Sequence, residues 1–386
     1  MNKKTKICLN AMVGNEAPTI MRMLESVAPF IDYYVIQCNG KEDNTREIID
    51  TFFKQKKIPG LTYFIEWNFP GWNRNHTLQV ALQTDHGCDW ILRMDADETL
   101  EIDNDFDWTI LDDTKVESWN VNAVNGATRY MRTWMWNAKL PWFFQLDKRH
   151  ETIHLPGIGE SFQRITLPQS FRHRVAQDGQ TWHVPRKFLR DALELEIDNI
   201  VGDKVKNDLY HLWYIAKSYI DCYGRPDELA FGKKHSDEYA RRAIWYFERY
   251  LELVHGWTPE NPIATSNNEM AYFALILMGQ AYEFMGENDK TFKYFDFAED
   301  FCPNRNEHLF HKVEILETQG RYQEALNLVE FMSSIDRPNP YPNLCFLIDD
   351  RIYHNTGTLL STLKETYTNK LSRPTINLNS FSFSFS

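Results

Sequence analysis

The four residues Asp95-Ala96-Asp97-Glu98, closely following the apolar run Trp90-Ile91-Leu92, carry the plainest chemical signal in this 386-residue chain. In an extended segment residues two apart point the same way, so Asp95 and Asp97 can converge on one ligand. Paired carboxylates suit a hard divalent cation, and such a cation serves as a Lewis acid where a diphosphate must leave. Taken alone, the letters favour an acidic turn in which Asp97 caps a following helix. A second signal is His150-Glu151-Thr152-Ile153-His154, a literal H-E-x-x-H. That motif makes a zinc metallohydrolase only when both histidines stand one turn apart on a stable helix. Pro141 and Pro156-Gly157 bracket it closely, and Trp142-x-Phe144-x-Leu146 upstream alternates like a strand. No third zinc ligand follows at the expected place, where Glu160 stands. The match reads as chance, with the hydrolase kept as a rival.

The elements around Asp95 follow from periodicity. Residues 6–13 read as a buried strand, 16–28 as a helix, 33–37 as a second strand and 61–65 as a third. Gly40 and Asp43-Asn44-Thr45 supply turn chemistry before a helix that runs through Phe53. A helix over 75–83 and a fourth strand over 89–94 complete the series. Strands alternating with helices imply a parallel sheet with ligands at the carboxyl ends of its strands. Gly40, Asp43 and Asp95 to Glu98 all fall at such ends. Beyond residue 115 shorter strands are expected over 116–124, 128–136, 142–146, 162–166 and 180–184. Past Leu193 the chain reads helical.

That helical half contains a repeat. Leu275, Gly279, Tyr282, Phe295, Ala298 and Pro303 match tetratricopeptide spacing, and a shift of 34 places gives Leu309, Val313, Leu316, Val329, Met332 and Arg337. Ala325 takes the small position held by Thr291 one copy earlier. A degenerate copy runs through Trp213, Ala216 and Tyr219, then Ala243, Phe247 and Tyr250. Such helix pairs bury their apolar faces only by stacking. The expected domains are 1–192, 193–355 for the repeats, and a low-complexity tail over 356–386.

Taken in order, Ile7-x-Leu9-x-x-x-Val13-x-Asn15-Glu16, Leu24-Glu25-Ser26-Val27, Gly40-x-x-Asp43-x-Thr45, Arg74-Asn75 and Asp89-Trp90-Ile91-Leu92-x-x-Asp95-Ala96-Asp97-Glu98 resemble the family 2 glycosyltransferases. The likeness is in particular to the branch that carries tetratricopeptide repeats after its catalytic domain. It spans about residues 5–190 and is strongest before 100. It implies an α/β fold: a GT-A catalytic domain (a Rossmann-like mixed sheet) followed by an all-α repeat domain. It further implies inverting, hexosyltransferase-type chemistry with Mn2+ or Mg2+ and a nucleotide-sugar donor, a UDP-sugar first among them. By the resemblance Asp95 lies near the ribose and metal, Asp97 on the metal, and Arg74 near the phosphates. Asn15, Glu16 and Asp43 join the nucleotide side, and His183, in Thr181-Trp182-His183, completes the metal site. Glu160, in Pro156-Gly157-Ile158-Gly159-Glu160, takes the place of the catalytic carboxylate that accepts the acceptor's proton. Gly159 stands where that carboxylate is often preceded by His. Cys38 replaces the family's usual Asp at the end of the second strand, which leaves the choice of nucleotide open; core filling is its plainer use. Trp67, Trp72, Trp136 and Trp182 could stack on sugar rings, although buried Trp is the commoner outcome.

Composition narrows the partners. A net charge of −12 disfavours nucleic acid, yet residues 139–190 hold nine Lys/Arg against four Asp/Glu, a local excess that suits a small anion. The longest apolar run, Met270 to Met278, is nine residues, far short of a membrane span. Six scattered cysteines without a C-x-x-C pair fit a reducing compartment, so a cytoplasmic location is expected. The repeats are expected to present a peptide, protein or glycan acceptor, or to mediate self-association. A non-catalytic repeat scaffold is the third reading.

Overall fold

A computed structural model describes residues 5–40, 43–113, 115–145, 152–179, 184, 186–201, 209–223, 233–262, 269–338, 348–353 and 357–372. The chain forms two compact units, residues 1–250 with 340–347 and residues 251–339 with 348–386.

In the first unit β1 (Ile7–Val13), β2 (Tyr33–Cys38), β3 (Gly60–Phe64) and β4 (Trp90–Met94) lie parallel in the order β3-β2-β1-β4. The chain winds outward from β1 to β3 and then returns to place β4 on the other side of β1. The carboxyl ends of β1 and β4 therefore form the switch point at which such sheets bind ligands. β7 (Thr128–Asn137), β6 (Ser118–Asn125), β11 (Phe171–Val175) and β5 (Glu98–Ile102) extend the sheet with mainly antiparallel pairings. The result is a mixed α/β sheet, parallel in its first half. β10 (Arg164–Thr166) pairs with β6, while β8 (Phe143–Phe144) and β9 (Ile153–His154) form a separate hairpin.

The alternation within β1 makes two cores. Ile7, Leu9, Ala11 and Val13 pack on one face with α1 (Ile20–Val27) and α2 (Thr45–Lys56). Cys8 turns the other way, joining Val35, Ile91, Trp136 and residues of α3 (Pro70–Gln83). Each fully buried aliphatic side chain here contributes roughly 1.5–3 kcal/mol of transfer free energy. Asn10 ties β1 to α3 through its Nδ2, 3.0 Å from the Thr77 carbonyl.

Four expectations are corrected. Strand β5, rather than a capped helix, begins directly after Asp97. α3 starts five residues before Asn75, because Pro70 at its first position suits a helix start. The strand expected over 142–146 is only the two-residue β8, and that over 162–166 only β10. Residues 180–183 of the last expected strand lie outside the described residues. No strand was expected at β11, where Phe171, His173 and Val175 face inward.

The helical half begins at Lys187 with α4 (Lys187–Val201), followed by α5 (Leu209–Tyr223) and α6 (Lys233–His255). Glu196 joins all three, accepting from Tyr219 at 2.8 Å, Tyr246 at 2.8 Å and Arg242 at 3.0 Å. The division between compact units falls at Tyr250, well past residue 192.

The second unit contains α7 (Glu269–Phe284), α8 (Asn288–Phe301), α9 (Glu307–Thr318), α10 (Tyr322–Met332) and α11 (Leu359–Ser372). The repeat positions Leu275, Phe295, Ala298, Leu309, Val313, Leu316, Val329 and Met332 are buried. His308 is fully buried, with Tyr272 Oη 3.1 Å from Nδ1, Glu299 3.5 Å from Nε2, and Lys312 and Glu307 nearby. Burial holds its imidazole below the ordinary value of 6.5, against the pull of Glu299. Below that pH the unfolded chain takes up a proton that the folded unit resists, so stability is lost as the medium becomes acidic. A lower melting temperature at pH 5 than at pH 7.5 is expected, with a smaller difference in His308→Gln. An equal difference in the two proteins would refute the assignment.

Candidate active site

The loops after β1 and β2 are clasped together. Asp43 accepts from Ala17 N at 2.9 Å and from Thr45 N and Oγ1 at 3.0 and 2.6 Å, while Thr45 Oγ1 in turn accepts from Glu16 N at 2.7 Å. Burial opposes ionisation of Asp43, but these hydrogen bonds prevail and lower its pKa. Glu16 is buried and accepts from Thr19 Oγ1 at 2.8 Å. Gly40 lies so close to Asn15 that a Cβ there would stand 2.0 Å from Asn15 Oδ1. The structure thus brings Asn15, Glu16, Gly40 and Asp43 together.

Cys38 faces the core beneath α1 and α2, and burial pushes its thiol up to about 12, so it stays neutral. Its neighbours point the other way. Gln37 Oε1 lies 3.2 Å from both Tyr63 Oη and His76 Nδ1, and Asn39 Nδ2 donates to the Ile65 carbonyl at 3.0 Å. That bond fixes which end of the Asn39 amide is oxygen, and its Oδ1 is buried with no hydrogen-bond partner among the described residues.

At the end of β4, Asp95 meets a ring of guanidinium groups. Arg74, in the first turns of α3, donates Nη1 to Asp95 Oδ1 at 2.9 Å, and Arg93 Nη2 lies 3.7 Å from the same oxygen. Burial alone would raise the Asp95 pKa, but Arg74, Arg93 and Arg132 hold the carboxyl well below the usual carboxylate range. Arg93 and Arg132 both stack on Trp134, 4.4 and 4.2 Å from its ring centre. Arg132 also donates to Glu98, whose Oε2 accepts from Asp95 N at 3.4 Å. Burial pushes the Glu98 carboxyl up to about 7 against the opposing charge of Arg132. His173, 3.7 Å from Glu98, is held down to about 3 by burial and by Arg132. It is neutral.

Asp97 shares the tight turn closed by Glu98 N donating to the Asp95 carbonyl at 3.2 Å. The segment after β11 lies over that turn: Ala176 N donates to the Asp97 carbonyl at 3.1 Å, and a Cβ on Gly179 would stand 3.2 Å from Asp97 Cγ. Arg22 secures it, with Nη1 and Nη2 2.9 and 2.6 Å from the Asp178 carboxylate. His183, four residues past Gly179, lies outside the described residues. Among the described residues no three His, Cys, Asp or Glu side chains cluster as a metal site.

Glu160 stands on the loop after β9. Asn75 Oδ1, adjacent to Arg74, accepts from Phe144 N at 2.9 Å, so the β8–β9 hairpin is anchored beside the Arg74 turn. Arg93 lies 5.6 Å from the Phe144 ring centre on the same side. The zinc reading lacks its helix where the motif is described, since His154 is paired with Phe143 in a hairpin. His150 and Glu151 lie outside the described residues. Trp136 is fully buried, whereas Trp67 is 54% exposed.

Sequence reading did not find Arg93 and Arg132, yet each left a signal: an arginine inside an apolar strand demands a buried partner. The basic excess of residues 139–190 also finds a different use. Arg172 and Arg174 of β11 neutralise Glu101 and Asp103, with contacts of 2.6–3.0 Å.

No protein-family model and no curated protein matches the sequence. Among solved structures, S. aureus TarS 1–349 aligns at 12% identity over 76% of this chain and 91% of its own, with a TM-score of 0.33. The same protein in complex with UDP gives the same values, and MamA aligns at 14% identity over 37% of this chain and 84% of its own, with a TM-score of 0.21. Superpositions this loose carry no argument about activity.

Proposed function

We propose that the chain is a nucleotide-sugar-dependent glycosyltransferase. One observation carries the reading: Arg74 meets Asp95 at the switch point of a mixed α/β sheet, with Asp97 on the same turn. Ligands of such sheets bind at this crevice, and an Arg already paired with a carboxylate can exchange it for a phosphate. The first turns of α3 add the favourable end of a helix dipole for an anion. Asp95 and Asp97, with His183 as the resemblance implies, would hold a divalent cation such as Mn2+ or Mg2+ through hard oxygen and imidazole donors. That cation supplies charge neutralisation for the departing diphosphate. Glu160 takes the proton of an acceptor hydroxyl or thiol as its oxygen or sulfur bonds to the anomeric carbon. The bond from that carbon to the diphosphate breaks on the opposite face, and the configuration inverts. With Cys38 buried, Asn39 Oδ1, which has no hydrogen-bond partner among the described residues, is the acceptor offered to a base N–H at the end of β2. A UDP-sugar fits it through the imide N–H of uracil.

A peptide, protein or glycan acceptor, with the helical repeats as its support or as a self-association surface, completes the proposal. No helix among the described residues is long and apolar enough to cross a membrane.

Melting curves with UDP, GDP, dTDP and CMP, each with and without Mn2+, test the reading. A ligand that binds only the folded state raises the midpoint, by about 2.7 kcal/mol of stabilisation at a hundred times its Kd. UDP with Mn2+ is expected to give the largest rise, and Arg74→Ala to abolish it. No response to any nucleotide would remove the assignment.

A further inference from the structure

Of the two histidines in the H-E-x-x-H motif, His154 lies among the described residues, and it has an unassigned use. Its Nε2 lies 3.4 Å from Glu160 Oε1 and 2.7 Å from Thr152 Oγ1. The intervening loop is closed by two backbone bonds of 2.9 Å, Leu155 N to the Gly159 carbonyl and Gly159 N to the Leu155 carbonyl. Gly159 has φ +59°, and a Cβ there would stand 3.6 Å from His154 Nδ1. An imidazole on residue 159 itself would require a side chain in the left-handed region. The loop geometry instead brings one from β9.

We infer that His154 is the positioning residue for Glu160: its Nε2–H, shared between Thr152 Oγ1 and the Glu160 carboxylate, holds that carboxylate in the orientation that accepts a proton. The physical need is clear. The Glu160 side chain is 47% exposed, and a glutamate with three rotatable bonds at a rim samples many directions. His154 is fixed: it is paired in the hairpin, its ring lies 5.6 Å from that of Phe143, and only 17% of its side chain is exposed. Arg164 faces the same residue from β10, its Nη2 donating to the Glu160 backbone carbonyl at 2.5 Å. Backbone and side chain of Glu160 are thus held from two elements. Such restraint raises turnover without changing how the donor binds.

This inference rests on the proposed role of Glu160, and the experiment separates the two. UDP-glucose hydrolysis with Mn2+ is measured for Glu160→Gln, His154→Ala and His154→Gln, alongside the nitrogen resonances of the His154 ring. Glu160→Gln is expected to lower kcat by about 10²–10³-fold, within the range of general-base catalysis. His154→Ala should lower kcat about tenfold with donor KM unchanged, and His154→Gln, which keeps a donor, should recover most of it. The Nε2 resonance should move in Glu160→Gln whether or not UDP-glucose is turned over. An unmoved resonance, or a His154→Ala enzyme with full kcat beside an impaired Glu160→Gln, overturns the inference and leaves the glycosyltransferase reading intact. Full kcat in Glu160→Gln overturns both Glu160 as base and this inference.

Discussion

Asp97→Asn is expected to lower kcat for a UDP-sugar by about 10²–10³-fold, the usual cost of removing one preorganised charge-stabilising group. The substitution keeps the shape and removes the formal charge. Asp97 is only partly buried and sits on a turn closed through the backbones of Asp95 and Glu98, so the fold should survive. An unchanged melting temperature with collapsed turnover is the expected pattern, and added Mn2+ should recover little. Asp95→Asn should behave differently. That carboxylate offsets Arg74, Arg93 and Arg132 at once, and its loss leaves partly buried guanidinium groups short of a counter-charge. Turnover and melting temperature should then fall together. Full turnover in Asp97→Asn would eliminate the cation role proposed for this turn.

The second large effect is structural and concerns Gly279 in α7. A Cβ at that position would stand 2.4 Å from Phe295 Cε1, and Phe295 is fully buried on α8. Alanine gains up to about 1 kcal/mol of helix propensity over glycine. Overpacking against a fully buried ring costs about 1–3 kcal/mol and outweighs that gain, because protein interiors are close-packed. Gly279→Ala should therefore lower the melting temperature of the second unit by several degrees. Phe295→Leu added to Gly279→Ala should restore part of the loss, since the shorter side chain clears the new methyl. A double variant that melts lower than the sum of its singles would count against this contact as the cause.

The same contact shows why the helical half was legible in the sequence. Gly279 and Phe295 occupy tetratricopeptide positions, filled by Val313 and Val329 in the next copy, and each helix pair is a local unit whose facing positions must interlock. Strands β1 to β4 were legible for a similar reason: each is a short apolar run between clear turn signals. β5 and β11 were not. Glu98 occupies an inward position of β5 and His173 one of β11, so polar letters interrupt both alternating patterns. They pair with each other through Leu100 and His173, a contact between residues far apart in the chain.

The candidate site divides along the same line. Asp95 and Asp97 were visible because the end of a buried strand and the start of a turn are local events. Their electrostatic setting was not. Arg93 reaches Asp95 from β4, whereas Arg132 comes from β7, brought alongside by the antiparallel match of Leu92 with Met135. Likewise Glu160 could be singled out by type and place, but the imidazole 3.4 Å from its carboxylate emerged only when the Leu155–Gly159 loop folded back on His154. The amino-acid order by itself determined the strand–helix alternation, the acidic turn and the repeating helix pairs, because these depend on neighbours a few residues apart. Tertiary structure decided which charges face one another, since strand pairing and burial set both the distances and the desolvation that give those charges their strength.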